Sequence, residues 1–185
     1  SIRRQRQMCI RDSNNMIVNN VSTHEGGGVA LDDAPSVRFY NNTVMNNKTT
    51  ATAITSNGQP APAGLSTGPN SVALQATLPS GSSLFSNPLL FNNIFWDNRA
   101  GTKGTNTVIG IGTTGDATPI NNWDMGVVGS PGSLLEPTNS VIQQNAGTYP
   151  YTASASNSSA NPAVTSVYNI PMTFTSWRTN INFVG

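Results

Sequence analysis

Residues 26–47 read GGGVALDDAPSVRFYNNTVMNN, and this stretch decides the fold. A glycine-rich turn leads into one short apolar run, a second apolar run follows, and a pair of asparagines stands on each side of Thr43-Val44-Met45. Pieces of the same pattern recur earlier and later in the chain. The stretch therefore predicts one coil of a repeating β-structure.

The asparagine pairs recur with apolar residues between them. The copies are NNMIVNN at residues 14–20, NNTVMNN at 41–47 and NNIFWDN at 92–98, so successive copies are offset by 27 and 51 residues. A period of this kind with insertions is typical of a solenoid, in which each unit buries its apolar face against its neighbours.

The apolar runs that lead into these pairs recur as well. VRFY at 37–40 and PLLF at 88–91 each precede an asparagine pair, and SVAL at 71–74 resembles GVAL at 28–31. Residues 48–70 are rich in Pro, Gly, Ser and Thr, so we predict an inserted loop there. Alternating apolar residues predict further strands at 107–111, 139–143, 164–168, 172–177 and 181–184.

Asparagine at stacked turns has a physical reason. After glycine it is the residue that best tolerates the left-handed backbone region, and its side-chain amide both donates and accepts hydrogen bonds. Equivalent residues of successive coils lie about 4.8 Å apart, which brings their amides within bonding reach. We expect this ladder at Asn15, Asn20, Asn42, Asn47, Asn93 and Asn98.

The segments GGGVA, NNTVMNN and FNNIFWDNRAG together resemble the right-handed parallel β-helix proteins of bacteria, in the pectin-lyase-like group. WDMGVVG and LLEPTNSVI resemble the end region of large extracellular members of that group. The resemblance covers residues 14–185 and implies an all-β, right-handed parallel β-helix of about four to five coils. It also implies a secreted or cell-surface location and a polysaccharide or cell-surface glycan as partner.

Residues 1–13, SIRRQRQMCIRDS, differ from the rest, because they hold four Arg and the only Cys without strand alternation. They resemble translated sequencing-adapter read-through, and a basic tail for nucleic acid or anionic lipid is the alternative. We predict a non-native or disordered tail and expect residues 14–185 to be a fragment of a longer protein. Outside the tail five basic and seven acidic residues remain, which gives no support for nucleic-acid binding.

The composition fits an extracellular β-protein, with only 9% charged residues and many small polar ones. The recurring apolar runs favour an ordered chain over a disordered one. With Cys9 set aside, disulfides and thiolate metal sites are excluded, and the sequence holds no apolar run long enough for a membrane helix. We expect a single monomeric domain with a second loop insertion near residues 146–161.

The candidate catalytic carboxylates begin with Asp32-Asp33. Paired aspartates, an arginine base and Ca²⁺ serve the pectinolytic enzymes of the resembled group, which implies such roles for Asp32, Asp33 and Arg38. The histidine-glycine and Arg-Ile-Lys elements of those enzymes are missing here. A turn before Ala34-Pro35, in which Asp bonds its own backbone, is the favoured interpretation, because strand neighbours point to opposite faces. Ca²⁺ here stays an alternative, and no other cofactor or metal site is predicted.

Other side chains also have a structural and a functional interpretation. Asp124 is a candidate acid or ligand, although an Asp near Trp and Gly at a tight turn is more often structural. His24 is interpreted as a solvated turn residue, with a general base as the alternative. Phe91 is predicted in the core, whereas Trp96 is a candidate platform for a sugar ring.

Two classes of function emerge from these residues. The first is a non-enzymatic surface or secreted β-helix with a structural, adhesive or glycan-contacting role; a glycan-binding face would show aromatic side chains lined up on the outside. The second is a polysaccharide lyase or glycoside hydrolase acting on acidic polysaccharide. Hydrolysis needs two carboxyls about 5 Å or about 6.5–9.5 Å apart in a groove. The acids are scattered at Glu25, Asp32, Asp33, Asp97, Asp116, Asp124 and Glu136.

Overall fold

The computed structural model describes residues 11–143 and 151–165. Within these ranges the chain forms short β-strands and one helical turn, α1 (Val72–Gln75). The strands are β1 (Arg11–Ser13), β2 (Met16–Val18), β3 (Val21–Ser22), β4 (Val29–Leu31), β5 (Arg38–Tyr40), β6 (Thr43–Met45), β7 (Lys48–Thr49), β8 (Leu65–Thr67), β9 (Leu89–Phe91), β10 (Ile94–Trp96), β11 (Arg99–Ala100), β12 (Thr102–Lys103), β13 (Val108–Ile109), β14 (Met125–Val127) and β15 (Val141–Ile142).

Most of these strands belong to four parallel sheets, which we name A to D. Sheet A has the order β1-β5-β9, sheet B β2-β6-β10-β15, sheet C β3-β7-β11 and sheet D β4-β8-β14. The chain passes through A, B, C and D in this order three times, and each passage is called a repeat: residues 11–31, 38–67 and 89–127. The prediction of an all-β fold made of stacked parallel strands is confirmed, and this arrangement is compatible with a solenoid.

The register of the strands confirms the repeat alignment that the asparagine pairs predict. Val44 is the Cα partner of Ile17 on one side and of Phe95 on the other. Phe39 is likewise the partner of Leu90 in sheet A. The two offsets read from the sequence therefore relate the three repeats in sheets A and B.

Inward side chains from successive repeats stack in columns that form the core. One column runs through Val44, Phe95 and Ile142 in sheet B, and all three are buried. Leu65 and Met125 stack in sheet D, and the rings of Phe39 and Phe95 lie 6.2 Å apart across the interior. Each repeat thus supplies one layer of a shared apolar core, as stacked units require.

Two of the four corners differ in length between repeats. We call the segment from sheet C to sheet D the C–D link and the segment from sheet D to sheet A the D–A link. The C–D links span 23–28, 50–64 and 101–124, so each is longer than the one before it. The first two D–A links span 32–37 and 68–88, and the second is again much the longer.

The predicted loop over residues 48–70 is wrong in two places. Lys48–Thr49 is strand β7 and Leu65–Thr67 is strand β8, so the predicted loop consists of the link at residues 50–64 and the start of the next link at 68–70. The strand that pairs with Val29–Leu31 is Leu65–Thr67, and it is not the similar SVAL segment. Ser71 instead caps helix α1, where its Oγ accepts a hydrogen bond from the Leu74 backbone N–H at 3.2 Å.

The strand predicted at residues 107–111 is present in part, but it does not join the stack. Val108–Ile109 pairs antiparallel with Thr102–Lys103 as a hairpin inside the third C–D link. The strand predicted at 139–143 is confirmed as β15. Residues 161–165 carry no strand, and the predictions for 166–168, 172–177 and 181–184 lie outside the described residues.

Residues 11–13 lie inside the segment predicted to be a tail, yet the structure pairs them with β5 as strand β1. Asp12 then holds the position that Phe39 and Leu90 hold in the next two repeats. A carboxylate there is a poor substitute for an apolar core residue. The prediction for residues 1–10 lies outside the described residues, as does the part of the 146–161 insertion before residue 151.

Candidate functional site

The two residues of each pair have different structural roles. The first residue adopts a left-handed backbone, with φ of 58° at Asn14, 56° at Asn41 and 53° at Asn92 between sheets A and B. Between sheets B and C the same position has φ of 56° at Asn46 and 54° at Asp97. Asn and Asp tolerate this region better than other side-chain residues, so the first position makes the corner.

The second asparagine of each pair bonds along the stack, and it is buried in the second and third repeats. At the B–C corner, the backbone and side-chain N–H groups of Asn20 both donate to Asn47 Oδ1 at 3.0 Å. Asn47 Nδ2 donates in turn to Asn98 Oδ1 at 2.9 Å. At the A–B corner Asn15 donates to Asn42 Oδ1. The backbone N–H of Asn42 donates in turn to Asn93 Oδ1. These bonds run in one direction through all three repeats.

Asp124 ends the ladder at the B–C corner. Asn98 Nδ2 donates to its Oδ1 at 2.7 Å, and the backbone N–H of Gln143 donates to its Oδ2 at 2.8 Å. The residue is fully buried. A carboxylate only accepts hydrogen bonds, which suits the end of a row of donors. The candidate acid Asp124 therefore sits in a structural position, with each carboxylate oxygen bonded.

The residues that precede the sheet D strands show why Asp124 lies there. Leu65 N donates to the Asp124 carbonyl as Val29 N does to the Gly64 carbonyl, so Gly64 and Asp124 are equivalent. A Cβ on Gly64 would lie 3.0 Å from Asn98 Nδ2, and one on Gly28 2.9 Å from Asn47 Nδ2. Glycine leaves room for the ladder amide in two repeats, and in the third an acceptor takes that room.

Aromatic residues line up on the outer face of sheet A. Tyr40 and Phe91 are Cα partners in successive repeats, and Phe91 is 43% exposed. The guanidinium carbon of Arg11 lies 5.1 Å from the centroid of the Tyr40 ring. The prediction that Phe91 lies in the core is wrong, because Leu90 takes the inward position and strand neighbours alternate.

Arg38 stands on the same outer face, two residues before Tyr40. It is exposed, and its strand partners at the same position are Arg11 and Leu89. Among the described residues, neither Arg11 nor Arg38 forms an ion pair. Two arginines in adjacent repeats repel one another unless an anion compensates their charge.

Trp96 lies on the outer face of sheet B and is half-buried. Its partner Met45 stacks directly below it and is only 5% exposed, and Val18 follows in the first repeat. Phe95 points inward and is part of the core. The candidate sugar platform Trp96 therefore belongs to a row of apolar residues, Val18, Met45 and Trp96, on the outside of sheet B.

Asp32 and Asp33 lie in the first D–A link and are both exposed. The Asp33 carboxylate accepts from the backbone N–H of Ser71 at 2.5 Å. Hydrogen bonds from the side chain and from the backbone of Ser71 lower the pKa of Asp33 below its usual value. Asp33 thus bonds the link of the next repeat, and the bonding to its own backbone that the sequence predicted is not the contact observed. Arg38 makes no ion pair with either aspartate.

A charged group that sequence reasoning missed lies at the B–C corner. Arg99 donates to both carboxylate oxygens of Asp97 at 2.7 Å and to the carbonyl of Ile111 at 3.0 Å. Its strand partner Lys48 is buried, and its Nζ donates to the Asn46 carbonyl at 3.2 Å. Burial lowers the pKa of Lys48, and the nearby Arg99 lowers it further while Asp97 opposes the shift. The sequence signal for this charged group is the basic residue that directly follows both Asn47 and Asn98.

The titratable groups of His24 and Asp116 are engaged locally. His24 Nδ1 contacts the carboxylate of its neighbour Glu25. Hydrogen bonds to Asp116, chiefly from the backbone N–H of Thr118 and also from that of Gly110, lower its pKa. Within residues 11–143 and 151–165, no three His, Cys, Asp or Glu side chains cluster as metal ligands would. In the same ranges no helix has the length and apolar character needed to cross a bilayer.

No family model matches the chain, and searches of curated proteins and of solved structures find no match either.

Proposed function

We propose that this chain is part of a secreted or cell-surface bacterial protein, a monomeric right-handed parallel β-helix that contacts glycans through its outer face. The observation that carries the proposal is the pair of aromatic rings, Tyr40 and Phe91, aligned on the outside of sheet A. The proposal assigns no catalysis. Its scaffold role follows from the stiff stack of sheets, and its binding role from the side chains that this stack displays.

The aromatic pair fits a sugar chain for a geometric reason. Partner residues in adjacent parallel strands lie about 4.8 Å apart, so the two aromatic side chains follow one another at a spacing close to one pyranose residue. The CH groups of a pyranose pack against aromatic rings. Tyr40 also carries a hydroxyl that donates and accepts hydrogen bonds. A glycan that lies across the strands meets one aromatic ring in each of two repeats.

The arginines beside the rings favour sugars that carry carboxylate or sulfate groups. Arg38 lies two residues from Tyr40, about 6.6 Å along the strand. Its guanidinium can bind a planar carboxylate with two parallel hydrogen bonds, and no acid among the described residues occupies it. Arg11 adds a second positive charge at the same strand position in the chain as it stands.

Binding to a panel of neutral and acidic polysaccharides, measured by affinity electrophoresis and calorimetry, tests the proposal. The double variant Tyr40→Ala/Phe91→Ala is expected to bind roughly tenfold more weakly, since aromatic contacts are worth about 0.5–1.5 kcal/mol each. Met16→Ala is the matched control, because Met16 is 78% exposed on sheet B and has no ring. Binding by no polysaccharide, or equal binding by the double variant, would contradict the proposal.

Cleavage of an acidic polysaccharide is the second candidate, and the group of Lys48, Asp97 and Arg99 favours it. A lysine with a lowered pKa holds more of the neutral amine that a proton abstraction requires. Lys48→Met and Arg99→Met should abolish any release of new chain ends from the polysaccharide that binds best. Unchanged release in both variants would place the chemistry elsewhere or exclude it.

A further inference from the structure

One asparagine of this chain stands apart from the ladder. Asn57 is the only asparagine that is followed by glycine, and it lies in the second C–D link, where its side chain is exposed. Asparagine is one of the chemically labile side chains, and its lability depends on the identity of the next residue and on how firmly the side chain is held. The position of Asn57 combines the two conditions that favour reaction.

The ladder asparagines of the second and third repeats are protected on both counts. The residues that come after them carry side chains that hinder attack by the next backbone nitrogen, whereas Gly58 has none. Their amides are also buried and bonded along the stack, as for Asn47 and Asn98. The buried members of the ladder are Asn42, Asn47, Asn93 and Asn98.

Two hydrogen bonds fix the groups around Asn57 and Gly58. The backbone N–H of Gln59 donates to Asn57 Oδ1 at 2.9 Å, which holds the side chain over the following peptide and polarises its carbonyl. The Gly58 N–H donates to Ser56 Oγ at 3.1 Å, so a hydroxyl stands beside the proton that must leave. Gly58 has φ of +79°, and the nearest atom to a Cβ built there is Lys103 Cβ at 3.7 Å.

We propose that Asn57-Gly58 is a site of spontaneous deamidation and isoaspartate formation in the folded protein. The Gly58 nitrogen loses its proton to hydroxide and attacks Asn57 Cγ. The Cγ–Nδ2 bond breaks, ammonia leaves, and a five-membered cyclic imide forms. Water then opens either carbonyl of the imide, which gives an aspartate or an isoaspartate whose backbone runs through Cβ. The reaction consumes water and releases ammonia, and it needs no oxidant or reductant.

The site is placed so that the reaction changes a contact between two repeats. The backbone N–H of Lys103, in the third C–D link, donates to the Gly58 carbonyl at 3.0 Å. The isoaspartate adds one backbone carbon in the residue before that carbonyl, and either product adds a negative charge at position 57. The modification therefore weakens or rearranges this hydrogen bond between the second and third C–D links, while the ladder stays intact.

Incubation of the folded chain at neutral and at mildly alkaline pH, followed by peptide mass mapping, tests the proposal. The expected result is a mass gain of about one unit in the peptide that contains Asn57, several-fold faster than at any ladder asparagine and faster at the higher pH. Isoaspartate should exceed aspartate in the products. Hydrogen exchange of the Lys103 amide should be faster in the modified fraction than in the unmodified one.

Asn57→Gln is the control, because its longer side chain does not form the five-membered ring readily. The expected result for this variant is no mass gain in the same peptide. The proposal is overturned if the folded chain leaves Asn57 intact under conditions in which the urea-unfolded chain reacts there. It is also overturned if buried ladder asparagines react at the same rate.

Discussion

The corners between sheets A, B and C and the corners on either side of sheet D obey different rules. At the first two corners every repeat turns within two residues, and an asparagine or aspartate with positive φ makes each turn. At the other two, the links range from a short turn to a long excursion, and they hold a hairpin, a helical turn and extended chain. One half of each repeat is therefore fixed and the other half varies.

The difference shows what a stacked fold must keep constant and what it can leave free. A tight corner inside the stack buries polar backbone and side-chain groups, and these need partners in the neighbouring repeat. A long link needs such partners only where it touches the stack, because water can satisfy the backbone of its exposed part, and lengthening it costs little entropy. The asparagine corners thus hold the register, and the links offer surface for contacts and for chemistry.

The largest effect is expected at the centre of the ladder, in the fixed half of the repeat. Asn47→Ala leaves the Ile17 carbonyl and the Asn20 backbone N–H without their partner. Each such group costs about 1–3 kcal/mol, so we expect a loss of about 3–4 kcal/mol in the free energy of unfolding. Urea denaturation measures it. Asn57→Ala, an asparagine in a link, is the control and should change stability by less than about 0.5 kcal/mol.

A smaller loss in the free energy of unfolding is expected when the last residue of the ladder is replaced. Asp124→Ala removes the acceptor of Gln143 N and one of the two acceptors of Asn98 Nδ2, which still reaches the Val44 carbonyl. We expect a loss of about 2–3 kcal/mol. A double-mutant cycle with Asn98→Ala should show coupling of at least about 0.5 kcal/mol. Additive losses would mean that the two side chains do not act as one unit.

The corner residues separate the backbone effect from the ladder effect. Asn92 has φ of 53° and is exposed, so Asn92→Val should cost about 1–2 kcal/mol through backbone strain alone. Asn92→Gly keeps the conformation accessible and should stay within a few tenths of a kcal/mol of the original chain. Thermal denaturation of both variants decides this, and equal losses would point to the Asn92–Asn41 side-chain bond instead.

The second D–A link should tolerate deletion. Helix α1 has no buried residue, so replacing residues 72–78 with Gly-Ser removes little packing. We expect less than about 1 kcal/mol of change, because loop-closure entropy varies slowly with length. Circular dichroism and urea denaturation give the result. A cooperative loss of the β-signal would show that this link is part of the fixed half of the repeat.

The smallest effect on stability is expected from replacing Asp33, and it is expected only above acid pH. Its pKa is lowered by the bond from Ser71, so the stabilisation is present above about pH 3.8 and is lost as the pH falls through the lowered value. Asp33→Asn should therefore lower the melting temperature slightly at pH 7 and leave it unchanged well below that pKa. A difference that persists at low pH would contradict the assignment to this carboxylate.

The sequence predicted the regular half of the repeat well and the variable half poorly. NNMIVNN, NNTVMNN and NNIFWDN align in the structure as they do in the sequence, because a corner with positive φ accepts few residue types. SVAL matched GVAL by composition alone, and the tertiary partner of Val29–Leu31 is Leu65–Thr67. A short apolar run without a neighbouring corner signal does not say which strand it pairs with.

For the candidate site, the residue types were predictable and their orientations were not. Phe91 was expected inside and Trp96 was a candidate sugar platform, yet Phe91 is the more exposed of the two, since Leu90 and Phe95 take the inward positions. A run of consecutive apolar residues does not say which of them faces the core. Asp124 looked like a turn residue, and only the stack reveals that it ends a row of amide donors.

The sequence by itself determined that this chain repeats, where its tight corners lie and which asparagines meet. Those features are local, because each depends on the backbone preference of one residue and on a fixed offset. Only the tertiary structure decided which apolar side chains point outward, which strand closes each repeat and which carboxylates are bonded. These features depend on residues from other repeats. How far away those residues lie along the chain is set by links of varying length.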